Sequence, residues 1–84
     1  MKISFQQDAF DHFTDWSIVH KETYKKIITL IKEIKRTPFE GTGKPEPLKH
    51  QLTGYWSRRI NLEHRLVYKF EEDEIVIISC KGHY

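Results

Sequence analysis

The apolar positions change their period along the chain, and each period predicts an element. Lys2 to Phe5 alternates, with Ile3 and Phe5 on one side, which is the pattern of a short strand. Ala9, Phe10, Phe13 and Trp16 then recur at helical spacing, with Gln7 or Asp8 available as a cap. After a break near Ser17–Lys21, the stripe Tyr24, Ile27, Ile28, Ile31 and Ile34 predicts a second helix, with Lys25, Lys26, Lys32, Glu33 and Lys35 mainly off it. Thr37-Pro38 ends that helix, because a residue before proline is driven out of the helical region. Phe39 to Glu46, with Gly41, Gly43 and Pro45, reads as a loop. From His50 onward the pattern changes to short β segments: His50–Leu52, Tyr55–Leu62, His64–Phe70 and Glu74–Lys81, with Glu71-Glu72-Asp73 as a tight connection. The order strand, helix, helix, strands predicts an α+β domain, with two N-terminal helices packed on one face of a small, mainly antiparallel β-sheet.

Side chains alternate across a strand, so parity sorts the faces. Even positions (Trp56, Ile60, Leu66, Tyr68, Phe70, Val76, Ile78, Cys80) give a largely apolar face, with Arg58 as the exception. Odd positions give Ser57, Arg59, Asn61, Arg65, Lys69, Ser79, Lys81 and His83, with Val67, Ile75 and Ile77 among them. With no bulge, Arg59, Arg65 and His83 share the face away from the helices. If the connection at Asn61–Glu63 pairs Ile60 with His64, Arg59 and Arg65 become direct cross-strand neighbours. Like charges facing each other are destabilising. A fold can carry that cost when an anion sits between them.

Composition narrows the classes. At 84 residues the chain fits one domain spanning 1–84 with a modest core. A net charge of +2 does not by itself announce a nucleic-acid binder, so the distribution of charge has to carry that argument. The single cysteine, Cys80, excludes an internal disulfide and a Cys-rich zinc site, fits a reducing cytosol, and reads as a small buried hydrophobe. Lys2 is not followed by the apolar run of a signal peptide, and no run approaches the roughly 20 residues of a membrane helix. A cytoplasmic protein is expected. His12, His20, His50 and His64 lack metal-ligand spacing, so no metal and no cofactor is expected.

Candidate chemistry concentrates between Gly43 and Tyr68. Glu46 stands between Pro45 and Pro47, which hold its backbone extended. Lys44, Lys49, His50, Arg58, Arg59 and Arg65 crowd around it in sequence, interleaved with Tyr55 and Trp56, and the chain closes on His83 and Tyr84. Attack of an RNA 2′-hydroxyl on its own phosphate needs a base, an acid for the departing 5′-oxygen and cationic donors for the phosphate. Glu46 suits the base and His83 the acid, since imidazole titrates near neutral pH. Arg65 can fork two hydrogen bonds to phosphate oxygens, with Arg59 and Lys49 in support, and Tyr84 can stack on a base. Taken alone, these residues leave a generic binding module ahead of RNA cleavage: a glutamate between prolines is ordinarily solvated, and a penultimate histidine is ordinarily a frayed tail.

The runs Gly-Lys-Pro-Glu-Pro-Leu-Lys-His (43–50), Trp-Ser-Arg-Arg-Ile (56–60) and Glu-His-Arg-Leu-Val-Tyr (63–68), with the closing His-Tyr, resemble the YoeB-type toxins of bacterial toxin–antitoxin pairs, messenger-RNA interferases of the RelE superfamily. The likeness covers essentially the whole chain. It implies a RelE-like fold and a type II toxin that cleaves messenger RNA in the A site of the ribosomal 30S subunit and so inhibits translation. It also implies Glu46 as base, His83 as acid, Arg65 on the phosphate and Tyr84 positioning the nucleotide. It implies a YefM-like antitoxin whose disordered C-terminal segment folds over the toxin, and toxins of this kind commonly form homodimers. A ParE-like gyrase poison and a non-catalytic RNA- or antitoxin-binding module are the alternatives. Two positions depart from the pattern. Gly82 stands where a larger, often aromatic residue is expected, and should loosen the tail ahead of His83. Thr42 stands where a basic residue is often found.

Overall fold

A computed structural model describes residues 1–82. The chain runs β1 (Lys2–Phe5), α1 (Gln7–Val19), α2 (Lys21–Arg36), β2 (Glu46–Pro47), a single 3-10 turn at His50–Leu52, β3 (Tyr55–Arg59), β4 (Arg65–Glu71) and β5 (Glu74–Ser79). The strands form one sheet in the order β1-β5-β4-β3-β2. Only β1 pairs in parallel, against β5, while the other neighbours are antiparallel. Its parallel return is made by the helical hairpin and the three strands that follow it.

The two helices are joined by one residue. His20 ends α1, its amide donating to the Trp16 carbonyl, and starts α2, its Nδ1 accepting from the Thr23 amide at 3.2 Å. The first helix begins one residue earlier than its sequence suggests. Its N-cap is Gln6, whose side chain caps nothing, and Asp8 lies in the first turn, where its charge favours the helix dipole. In α2 the buried residues are Thr23, Ile27, Leu30, Ile31 and Ile34. The last four follow the i, i+3, i+4, i+7 rule, so Leu30 replaces the expected Ile28, which is half-buried on the shoulder of the stripe. These residues pack with Ala9 from α1 and with Ile60, Leu66, Tyr68, Ile75, Ile77 and Cys80 from the sheet side.

Three expectations about the strands are corrected. His50–Leu52 is a 3-10 turn, not a strand, with the Leu52 and Thr53 amides bonded back to the Lys49 and His50 carbonyls. Glu46 is not a free loop residue, because Glu46–Pro47 pairs with Trp56–Ser57 as the sheet's edge. Proline fits there because an edge strand tolerates a missing donor. The simple parity of β5 also fails. Tyr68 pairs with Ile77 but Val67 pairs with Ser79, so Ile78 is an extra residue, a bulge. Before it, Ile75 and Ile77 face the helices, and Val76 does not.

Candidate active site on the outer sheet face

Paired residues on neighbouring strands project from the same face. Glu46 pairs with Ser57, Ser57 with Val67, and Arg59 with Arg65, which puts all five on the face away from the helices. The short β3–β4 connection fixes this register. The Asn61 side-chain oxygen accepts from the Glu63 and His64 amides at 2.9 and 2.8 Å, and the Ile60 amide reaches the His64 carbonyl at 3.0 Å. Arg59 and Arg65 are therefore direct cross-strand neighbours, as the sequence suggested. Arg65 turns toward the carboxylate, its guanidinium 3.8 Å from Glu46 and 3.4 Å from the Ser57 hydroxyl. Glu46 keeps 55% of its side chain exposed and Arg65 22%, so this ion pair lies open at the surface. Beside it is a cleft of about 280 Å³ lined by Arg59, Asn61, Leu62 and Arg65.

The loop leading to Glu46 is built on Arg58, the exception on the apolar face. Arg58 is fully buried. Its Nε–H donates to the Tyr68 hydroxyl (3.2 Å). One terminal nitrogen donates to Glu33 Oε1 (3.1 Å) and the Thr42 carbonyl (3.2 Å), the other to the Thr37 and Glu40 carbonyls. Tyr68 in turn donates to the Pro38 carbonyl at 2.7 Å, and the Thr42 amide donates to Glu33 Oε1. The Thr42 hydrogen bonds, and then the Arg58 charge, hold Glu33 below the usual carboxylate range against the opposing effect of burial. Burial pushes the Tyr68 hydroxyl up, opposed by its bond to Arg58. The loop closes where the Arg59 amide donates to the Gly43 carbonyl at 2.6 Å, three residues before Glu46.

Of the expected site residues, the structure brings Glu46, Arg59 and Arg65 together. Lys49 is the N-cap residue of the 3-10 turn, is exposed, and makes no ion pair with Glu46 among the described residues. His83 and Tyr84 lie outside the described residues, as does the expected position of His83 on this face. The segment that leads to them is anchored. Trp16 Nε1–H donates to the Cys80 carbonyl (2.9 Å), the Cys80 amide donates to His12 Nδ1 (3.3 Å), and the Ser79 hydroxyl donates to the Lys81 carbonyl (3.1 Å). Burial pushes the Cys80 thiol up to about 12, so it is an inert core group, as its apolar strand suggested. Sequence reasoning missed Ser57, Asn61 and the supporting role of Arg58. Asn61 carried a signal, a turn-forming residue between two predicted strands.

The fold that carries this arrangement is shared with solved toxins. A structure described as a YoeB/ParE toxin from Agrobacterium tumefaciens superposes with a TM-score of 0.96 at 43% identity, over 100% of both chains. The YoeB dimer from Staphylococcus aureus superposes with a TM-score of 0.94 at 49% identity, over 100% of this chain and 98% of that one. The same toxin is also known as a YoeB–YefM complex (TM-score 0.92). The fold class is thus that of the RelE-like toxins. The model of the YoeB-like toxins of bacterial type II toxin–antitoxin systems matches residues 5–84, and toxin YoeB of Escherichia coli K12 is 51% identical over 84 residues, 100% of each chain. The chain belongs to the YoeB-like toxin family.

Proposed function

We propose that this chain, as a single toxin domain spanning residues 1–84, cleaves messenger RNA in the ribosomal A site and thereby stops translation in the cytoplasm. The observation that carries the reading is the loose, exposed pairing of Glu46 with Arg65 at the rim of the arginine-lined cleft. An RNA phosphodiester entering the cleft offers the planar Arg65 fork two non-bridging oxygens that share one negative charge, and Arg59 opposite it supplies a second cation. Arg65 then swings from carboxylate to phosphate and frees Glu46 to take the 2′-hydroxyl proton. The 2′-oxygen attacks phosphorus, and the bond to the 5′-oxygen breaks. That oxygen receives a proton from His83, while Arg65 and Arg59 stabilise the charge on the phosphate. The products are a 2′,3′-cyclic phosphate and a 5′-hydroxyl. Lys49 supports the backbone and Tyr84 orients a nucleotide by stacking.

The relatives support the partners. A YoeB–YefM complex and a YoeB dimer of the Staphylococcus aureus toxin favour a YefM-like antitoxin and a homodimer here. Variants separate catalysis from binding. Glu46→Ala and His83→Ala are each expected to lower cleavage by about 10²-fold or more while leaving antitoxin binding intact. Arg65→Lys should also be damaged, since a point charge does not replace a planar fork. Near-normal cleavage by Arg65→Lys, or equal loss of folding and binding in the other two, contradicts these roles.

A further inference from the structure

We propose that His64 is a positioning residue that holds the C-terminal tail so that its acid reaches the phosphate. The proposal rests on the reading of His83 given above and adds what aims it. Gly82 is the last described residue, and both of its backbone polar groups are bonded to consecutive residues of one strand entry. Its amide donates to His64 Nδ1 at 2.9 Å, and its carbonyl accepts from the Arg65 amide at 2.7 Å. The chain is thus clamped immediately before His83, and the clamp is made by the residue next to the proposed phosphate ligand. Gly82 has φ +78°, in the left-handed region, although a Cβ there would meet nothing within 4 Å. The glycine is therefore favoured by the backbone path rather than by space. Gly82 itself is held at both backbone groups, although its residue type favours a loose backbone.

His64 is itself held. Its ring lies edge-on to Trp16, with centroids 4.9 Å apart and planes at 67°, and its side chain is only 11% exposed. Trp16 also donates to the Cys80 carbonyl, so one aromatic fixes both the clamp and the segment it clamps. Accepting from Gly82 requires Nδ1 to be unprotonated, which assigns the proton of the neutral ring to Nε2, the nitrogen 3.7 Å from Glu63 Oε2. With its acceptor nitrogen occupied, His64 has no free base for the chemistry. It acts through His83.

The test measures kcat and KM for cleavage of ribosome-bound messenger RNA by the full chain. His64→Leu, which cannot accept a hydrogen bond, is expected to lower kcat about 10²-fold with KM unchanged, the size of loss that misplacing a reacting group produces. His64→Asn, whose amide oxygen can stand near the position of Nδ1, is expected to restore most of it. In a His83→Ala background, His64→Leu should cost nothing further, because its effect passes through the missing acid. A folded His64→Leu with the parent kcat overturns the proposal, as does a loss that adds fully to that of His83→Ala. Should His64→Leu fail to fold, a long-range proton–nitrogen spectrum of the parent decides: a bare Nδ1 supports the clamp, and a proton on Nδ1 at neutral pH overturns it. If His83→Ala cleaves normally, the acid assignment fails, and His64 is not the cause.

Discussion

All five N–H hydrogens of Arg58 find acceptors: the Tyr68 hydroxyl, Glu33 and three carbonyls of the Thr37–Thr42 loop. A buried guanidinium is tolerated only when it is fully paired. Here the pairing also gives shape to a loop with little apolar content of its own. The sequence marked Arg58 as an exception on an apolar face, but not its use, because its partners come from three stretches 10 to 25 residues away. Glu46 was easier to single out as a candidate, since two flanking prolines mark it within the sequence itself. The network has a pH signature. Glu33 is held below its ordinary value of 4.5 in the folded chain. It therefore contributes stability that is fully present above that value and is lost as pH falls through the lower native one. Denaturant titrations should show stability declining in acid below about pH 4.5, and Glu33→Gln should remove part of that decline. An identical acid slope in the variant would mean the Glu33 carboxylate is not linked to folding.

At the level of elements, the long periodic segments were the most readable. Both helices, the hairpin between β4 and β5 and the Arg59–Arg65 register follow from apolar spacing and turn residues. What failed was local. The bulge at Ile78 shifts β5 by one residue, and since strand parity has period two, a single extra residue exchanges the faces. The two-residue strand at Glu46–Pro47 is too short to show a period, and exists because β3 offers an unpaired edge. Its approach depends on Gly43, which has φ +87° and whose Cβ would lie 3.0 Å from the Arg59 carbonyl oxygen. Gly43→Ala is therefore expected to destabilise the fold by about 1–2 kcal/mol, through left-handed strain and contact with backbone that cannot rotate away. Cleavage should fall as well, because Glu46 follows three residues later. Parent stability and activity in this variant would show that the loop adapts freely.

On the scale of the whole molecule, the helices and the sheet divide the work. The helices cover one face and bury Ile27, Leu30, Ile31 and Ile34 against Leu66, Tyr68, Ile75 and Ile77, while the other face carries Glu46, Ser57, Arg59 and Arg65. A net charge of only +2 means that the proposed RNA binding would rest on this local grouping rather than on a general positive field. Among the described residues no helix is long and apolar enough to cross a membrane. The fold and its family were legible because whole motifs, in order, survive in the chain. The proposed chemistry could only be suggested by the sequence, because a catalytic pair is a distance between side chains and sequence spacing does not measure it. The central claim is that Glu46 and the terminal acid split RNA through its own 2′-hydroxyl on the ribosome. The most direct measurement is to add the purified chain to a translating extract, map the new 5′ ends by primer extension and determine their end groups. Discrete cuts that require ribosomes, bear 5′-hydroxyls and disappear in Glu46→Ala and His83→Ala are the predicted result. Fragments bearing 5′-phosphates, or the same cuts in both variants, would contradict it.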